Sequence, residues 1–272
     1  MSIVLVMDTR IKFRNIIFED FLCWSVVQII YHCYMPSNSI PLSVILPCFN
    51  PRPDWFEIVM QDFLILEDEQ KKVELIIVND GSSKNFTEAE VISFFLKQPA
   101  IKIISYSENK GKGYALREGV KQAQGDLIIY TDIDFPYTHD SFRKIYNPLK
   151  NEDADVAIGI RSEEYYAHLS KSRVRISKLL RWFIKKFLRI PTDDTQCGLK
   201  GMNQKGKQVF LQTTIDRYLF DLEFIFLSAR QKLSVKTVEV ELRPEIQLSK
   251  MNWKILLQEF GNFLKIFAKS VF

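Results

Sequence analysis

The chain has few of the residues that build small metal or disulfide frameworks. Its 272 residues include four cysteines and three histidines, and no two cysteines are spaced as Cys-x-x-Cys. Zinc sites and disulfide scaffolds use such pairs, so the composition argues against both and fits a reducing compartment. Long apolar runs are missing too. The nearest candidate, residues 21–35, is interrupted by Gln28 and His32 and is shorter than the roughly 20 residues of a membrane span. It has no small-residue cleavage site, so we expect no signal peptide.

Acidic residues are missing from one segment. The formal net charge is only +4, but residues 171–190 contain eight Lys or Arg and no Asp or Glu. Apolar residues recur there at helical spacing, at Ile176, Leu179, Leu180, Phe183, Phe187 and Ile190. Such a helix lies well on an anionic membrane surface, and we predict peripheral membrane association. An ordinary surface helix with a basic face is the alternative. No nucleic-acid-binding motif accompanies the segment, so we expect no nucleic-acid partner.

Beyond residue 40, short apolar runs alternate with amphipathic segments. Strands are predicted at 43–46, 73–78, 101–104, 127–130, 156–158 and 235–242, and helices at 54–66, 87–96, 113–123 and 141–149. A further helix, rich in aromatic residues, is predicted to open at 217–224. The alternation predicts an α/β fold in which helices cover both faces of a mainly parallel sheet. We assign residues 1–40 to an extension of unknown role and 41–250 to one domain that includes the basic insert 171–190. Residues 251–272 are predicted to form an amphipathic helix, because apolar residues recur there at i, i+3, i+4 and i+7.

Polar residues follow the predicted strands at the edge where ligands of such sheets bind. Asp80 follows the second strand, a lysine- and glycine-rich segment at 108–115 follows the third, and Asp132 and Asp134 follow the fourth. Side chains two residues apart on an extended strand share one face. Two carboxylates so close repel each other unless a cation lies between them. The pair therefore predicts a site for Mg2+ or Mn2+ that carries phosphate oxygens.

Five segments together resemble a known family. They are SVILPCFN, ELIIVNDGSS, NKGKGYALREG, DLIIYTDIDF and DDTQCGLKG. The series resembles the family 2 inverting glycosyltransferases of the GT-A (Rossmann-like) fold, and within them the dolichyl- and polyprenyl-phosphate glucosyltransferase and mannosyltransferase group. The DTQCG block is the specific part, and the resemblance runs from about residue 43 to residue 250.

The resemblance implies a donor site and a metal site. The five donor-binding residues are Pro47, Phe49 and Asp80 for the base and ribose, Lys112 near the diphosphate, and Asp132. The metal ligands are Asp132 and Asp134. Pro136 stands where some mannosyltransferases have a side-chain ligand, so the third metal ligand stays unassigned.

The resemblance also implies an acceptor site. Asp194 is the third catalytic candidate, beside Asp132 and Asp134, and it would position the acceptor or take a proton. The acceptor-binding candidates are Arg161, Arg173, Arg175, Asp221 and Glu223. The two acids would stabilise an acceptor loop or bind the sugar, although Asp221 could equally cap a helix.

These residues imply a metal-dependent enzyme on the cytoplasmic side of a membrane. It would move a hexose, most simply glucose from UDP-glucose, to a polyprenyl phosphate with inversion. One alternative is a family 2 transferase with a glycan hydroxyl as acceptor, for which Asp194 would have to be a true base. The other is a non-catalytic membrane scaffold of the same fold, against which the presence of both Asp132 and Asp134 argues.

Overall fold

The computed structural model describes residues 41–70, 72–86, 100–161, 188, 190, 192, 194–244, 261–263 and 266. These residues belong to one compact unit, 39–272. Residues 1–40, the predicted helix 87–96, and most of the basic insert and of the C-terminal helix lie outside the described residues. In the described part, no helix combines the length and apolar character that a bilayer crossing needs.

Strands and helices alternate along the chain as the sequence predicts. The strands are β1 (Leu42–Cys48), β2 (Val73–Asp80), β3 (Ile101–Tyr106), β4 (Leu127–Tyr130), β5 (Val156–Arg161), β6 (Lys200–Met202) and β7 (Val235–Val240). The helices are α1 (Trp55–Gln70), α2 (Lys112–Gln122), α3 (His139–Lys150), α4 (Gln204–Phe210) and α5 (Phe220–Arg230). The sequence did not predict β6 or α4.

The strands form one sheet in the order β3-β2-β1-β4-β6-β5-β7. Neighbouring strands are parallel except at β6, which pairs antiparallel with both β4 and β5. The predicted mainly parallel α/β sheet is confirmed. Since parallel strands end at the same edge, the segments that follow β1, β2, β3 and β4 meet there.

Apolar side chains cover both faces of the sheet. Val44 and Leu46 of β1 point to the face packed by α1 and α3, whereas Ile45 between them points to the face packed by α2, α4 and α5. All three are fully buried. This alternation follows from the two-residue repeat of a strand, and burial on both faces explains why residues 44–48 of β1 are all apolar. The prediction of helices on both faces is confirmed.

The short strand β6 lies close beneath α3. A Cβ atom added at Gly201 would come within 2.6 Å of Leu149 Cδ1 and 2.9 Å of Ile145 Cγ2. Glycine therefore lets α3 approach the sheet at this point. The strand places its first residue, Lys200, beside Tyr130 of β4, next to the acidic segment that follows β4.

Candidate active site

A cavity of about 310 Å³ opens at the carboxyl edge of the sheet. It is lined by Pro47, Cys48, Phe49, Asp80, Asn109, Gly111, Lys112, Asp132, Arg217 and Tyr218. The structure thus brings all five predicted donor-binding residues to one cavity. They come from three different strand ends and from the start of α2, as the rule for such sheets requires.

The two acids of the Asp-x-Asp pair lie in a tight turn directly after β4. The N–H of Phe135 donates to the carbonyl of Asp132 at 3.0 Å, and Phe135 has a positive φ of 41°. Burial raises the pKa of Asp134, and the charge of Asp132 raises it further. A divalent cation would relieve that repulsion, and hard cations prefer such oxygen donors.

The donor set around this pair is small. Within the described residues, no group of three or more His, Cys, Asp or Glu side chains could hold a metal. Pro136 is buried and offers no side-chain ligand. The arrangement therefore fits a metal that takes two carboxylates from the protein and its other ligands from phosphate and water, as Mg2+ commonly does.

Lys112 is the first residue of α2 and points at the acids. Its Nζ donates to Asp132 Oδ1 at 2.5 Å. Burial would lower the pKa of Lys112, but the carboxylates of Asp132 and Asp221 outweigh it and raise the pKa. The side chain therefore stays a cation, placed where a diphosphate bound to the acids would meet it.

Asp80 builds the loop that carries Lys112. Its Oδ1 accepts from the N–H of Lys110 at 2.7 Å, and its Oδ2 accepts from the N–H of Gly111 at 2.9 Å and from Asn109 Nδ2 at 2.8 Å. Gly111 has φ 111°, a conformation that favours glycine. Contact of Asp80 with the base stays a prediction, and the structure adds that this carboxylate orders the start of α2.

Asp194 accepts three hydrogen bonds from Arg161. Its Oδ2 accepts from the Arg161 N–H at 2.8 Å and from Nε at 3.0 Å, and its Oδ1 accepts from Nη2 at 2.5 Å. Burial would raise the pKa of Asp194, but the hydrogen bonds and charge of Arg161 outweigh it and lower the pKa. Asp194 is thus a poor base at neutral pH. Arg173 and Arg175, the other two arginines among the acceptor candidates, lie outside the described residues.

Asp221 and Glu223, the two acids among the acceptor candidates, are buried and do not line the cavity. Asp221 Oδ1 accepts from the Tyr130 hydroxyl at 2.6 Å and forms an ion pair with Lys200 Nζ at 2.9 Å. Lys200 is fully buried and also donates to the carbonyl of Cys197. The N-cap of α5 is Leu219, so the interpretation of Asp221 as a helix cap is wrong. This ion pair was not predicted, because the sequence carries no signal that a lysine such as Lys200 is buried.

Glu223 holds the loop before α5. Its carboxylate accepts from the N–H groups of Thr214 and Ile215 at 2.8 and 2.9 Å and from the Thr214 hydroxyl at 2.9 Å. The side chain is fully buried. Of the two roles considered for it, these contacts favour stabilising a loop over binding the sugar.

The DTQCG block packs directly on the Asp-x-Asp pair. The N–H of Gly198 donates to the Tyr137 hydroxyl at 2.9 Å. A Cβ atom added at Gly198 would lie 2.7 Å from Asp132 Oδ2, and its other near neighbours are 3.6 Å away. The glycine therefore leaves the Asp132 carboxylate the room to keep its position.

Replacing Gly198 by alanine should reduce activity much more than stability. The new methyl group would displace the flexible end of Asp132, and misplacing a catalytic group by about 1 Å costs on the order of a hundredfold in rate. Turnover and the midpoint of urea unfolding check this. Gly201→Ala is the matched control, because its methyl would press on Leu149 and Ile145 instead and should lower stability by about 1–3 kcal/mol while sparing turnover. Equal turnover losses in both variants would contradict the prediction.

Two of the residues that line the cavity, Arg217 and Tyr218, belong to no segment that the sequence places at this edge of the sheet. They precede α5, far along the chain from the other lining residues, and no motif or spacing marks them. Their neighbour Phe220 opens α5, whose aromatic residues were noted only as a helix signal.

Comparison with known proteins gives consistent matches. Residues 43–208 match the family model described as glycosyl transferase family 2. The dolichyl-phosphate beta-glucosyltransferase of Dictyostelium discoideum is 28% identical over 233 residues, covering 80% of this chain and 70% of that protein. The human protein of the same name is 27% identical over 234 residues, covering 77% and 69%.

Solved structures share the fold at low identity. Glucosyl-3-phosphoglycerate synthase from Mycobacterium tuberculosis, in complex with Mn2+, UDP and glucosyl-3-phosphoglycerate, has a TM-score of 0.57 and 17% identity, covering 82% of this chain and 80% of that one. Mannosyl-3-phosphoglycerate synthase from Rubrobacter xylanophilus has a TM-score of 0.58 and 14% identity, covering 85% and 73%. At these identities the likeness shows the GT-A-like fold alone.

Proposed function

We propose that this chain, which belongs to glycosyl transferase family 2, transfers glucose from UDP-glucose to a polyprenyl phosphate and inverts the anomeric carbon. The observation that carries the proposal is the cavity that Lys112 and Asp132 line together with Pro47, Phe49 and Asp80. The relatives named dolichyl-phosphate beta-glucosyltransferase support the acceptor and the sugar. The solved neighbour that holds UDP with Mn2+ supports the nucleotide and the metal.

The donor would bind along the carboxyl edge of the sheet. Pro47 and Phe49, after β1, would contact the base, and Phe49 is 51% exposed and free to pack against a ring. Lys112 would donate to the diphosphate, exchanging one anionic partner for another. Asp132 and Asp134 would hold Mg2+ or Mn2+, which neutralises the charge that develops on the departing diphosphate.

The state of Asp194 favours a phosphate acceptor over a hydroxyl acceptor. A sugar hydroxyl must lose a proton as it attacks, and a strong base helps that step. A polyprenyl phosphate is already ionised at neutral pH and needs no such base. Asp194, with its pKa lowered by Arg161, suits the second case. In a single displacement, a phosphate oxygen attacks the anomeric carbon as its bond to UDP breaks, which inverts that carbon.

A membrane surface is the expected location of such a reaction. The polyprenyl chain stays in lipid, so the enzyme must bring its cavity to the headgroups. The basic insert 171–190 and the C-terminal segment 251–272 are the proposed contacts, on the cytoplasmic side. Binding of the full chain to vesicles with and without anionic lipid checks this assignment.

The direct test of the function is transfer of labelled sugar into an organic-extractable product. UDP-glucose and GDP-mannose are supplied separately, with dolichyl or undecaprenyl phosphate and with Mn2+, Mg2+ or a chelator. Extractable label from UDP-glucose that is lost in chelator is the expected result. Metal-dependent donor hydrolysis without extractable label would overturn the lipid acceptor and favour a hydroxyl acceptor, and no donor turnover at all would favour the scaffold.

Asp194→Asn should lower turnover by less than about a hundredfold, because general base catalysis contributes on the order of 10²–10⁴-fold where it operates. Asp155→Asn is a matched control, since this carboxylate also has a lowered pKa and hydrogen bonds to Asn203 and Ser234, away from the cavity. Initial rates of product extraction measure the effect. A loss far beyond a hundredfold in Asp194→Asn alone would indicate a true base and a hydroxyl acceptor.

A further inference from the structure

The loop at residues 213–218 is fixed from two sides. From α2, Arg117 donates to the carbonyl of Ile215 at 2.8 Å and forms an ion pair with Asp216. The carbonyl of Asp216 accepts from the N–H of Gly113, also in α2, at 2.7 Å. From α5, Glu223 accepts from the backbone of the same loop. These contacts fix the backbone of the loop, and therefore the place from which its remaining side chains extend.

The loop presents Arg217 and Tyr218 to the cavity. Both are exposed, and both line it. The carboxylate of the neighbouring Asp216 is engaged by Arg117. Over the residues that the structure describes, no carboxylate lies within ion-pair distance of the Arg217 guanidinium. An arginine held at a cavity wall without an anion is suited to bind one.

Arg217 contacts Gly111, the neighbour of Lys112, which is the other basic residue that lines the cavity. A Cβ atom added at Gly111 would be 3.0 Å from Arg217 Cγ, so the arginine stem packs on Gly111, directly before Lys112. Lys112 is already paired with Asp132. A nucleoside diphosphate beside these acids brings more negative charge than Lys112 alone offsets, and Arg217 supplies a further positive charge.

We infer that Arg217 is a substrate-binding residue that contacts a phosphate oxyanion, of either the donor diphosphate or the acceptor phosphate. A guanidinium binds phosphate through two parallel hydrogen bonds, which fixes orientation as well as charge. The inference rests on the proposed function for its choice of ligand, and it assigns the role to a residue outside the predicted donor and acceptor sets.

The test compares Arg217→Met, which keeps the stem on Gly111, with Arg217→Lys, which keeps the charge. Arg230→Met is the matched control, because Arg230 is exposed at the opposite end of α5. Binding of UDP with Mn2+ is measured by calorimetry without acceptor, and KM for the polyprenyl phosphate is measured at saturating UDP-glucose. Unfolding midpoints confirm that the variants fold.

If Arg217 binds the donor, Arg217→Met should weaken UDP binding by about tenfold or more, the usual size for a hydrogen bond to a charged group, and Arg217→Lys should recover part of it. If it binds the acceptor, UDP affinity should be kept and KM for the polyprenyl phosphate should rise by a similar factor. Unchanged values for both, or equal losses in Arg230→Met, would overturn the inference.

Failure of the proposed function gives a different result. Wild-type protein that binds UDP in an Arg217-dependent way but transfers no sugar to a polyprenyl phosphate would refute the acceptor and keep Arg217 as a phosphate-binding residue. Wild-type protein that transfers sugar while Arg217→Met retains every constant would refute only the inference.

Discussion

Replacing Asp134 by asparagine should reduce sugar transfer by about a hundredfold to a thousandfold, because metal stabilisation of a leaving group supplies several kcal/mol. Asparagine keeps the shape of the side chain but removes the charge that attracts the cation. Transfer rates and Mn2+-dependent UDP binding should fall together. Full activity in this variant would overturn the metal assignment.

The same substitution, Asp134→Asn, should raise the stability of the metal-free protein rather than lower it. Burial and the charge of Asp132 raise the pKa of Asp134, so its ionised form is disfavoured in the folded protein. The metal-free wild type therefore loses stability as the pH rises through that pKa, and Asp134→Asn should not. Urea unfolding in chelator at several pH values measures this. Asp126→Asn is the control, because Asp126 is exposed and lies just before β4, at the opposite end of the strand from Asp132 and Asp134. It should change neither sugar transfer nor the pH dependence of stability.

Replacing Lys200 by methionine should cost about 3–5 kcal/mol of unfolding free energy, the usual effect of removing one partner from a buried ion pair. Both side chains of the Lys200–Asp221 pair are buried. Of the two Asp221 contacts described above, methionine at position 200 removes the ion pair and leaves the hydrogen bond from the Tyr130 hydroxyl. The Cys197 carbonyl loses a donor as well. Urea unfolding at neutral pH measures the loss.

Two further variants separate this explanation from a packing defect. Lys205→Met removes a largely exposed charge from the ion pair with Asp155 and should change stability by less than about 1 kcal/mol. The double variant Lys200→Met/Asp221→Leu removes both buried charges and should recover much of the loss. A double variant less stable than Lys200→Met would show that the carboxylate was not the source of the cost.

The regular part of the fold could be predicted because every strand except β6 carries its own signal. Residues 75–78 and 127–130, for example, are short apolar runs followed by polar turns, and burial on both faces makes such runs continuous. The three-residue strand β6 has no such pattern. Its pairing depends on contacts with β4 and β5, which a local pattern does not contain.

The candidate site divides in the same way. Asp132 and Asp134 were found because both acids lie at one strand end in a recognisable motif. The partners of Asp194 and Asp221 were not, because Arg161 and Lys200 belong to strands that lie far from these acids in the sequence. In the sequence, a carboxylate that could bind a substrate cannot be distinguished from one that is already paired with a buried cation. The difference depends on how segments distant in sequence pack together. Arg217 illustrates the converse, since a tertiary loop brings it to the cavity.

The place of β6 in the sheet also sets an order of folding. β4 pairs with β1 on one side, but its neighbour on the other side is β6, which is synthesised only after β5 and the segment beyond it. Until β6 has been synthesised, β4 has one unpaired edge, and such edges recruit strands of other chains. Pairing between segments so far apart is also slow. We therefore expect nascent or truncated chains that end before residue 200 to aggregate more readily than the full chain.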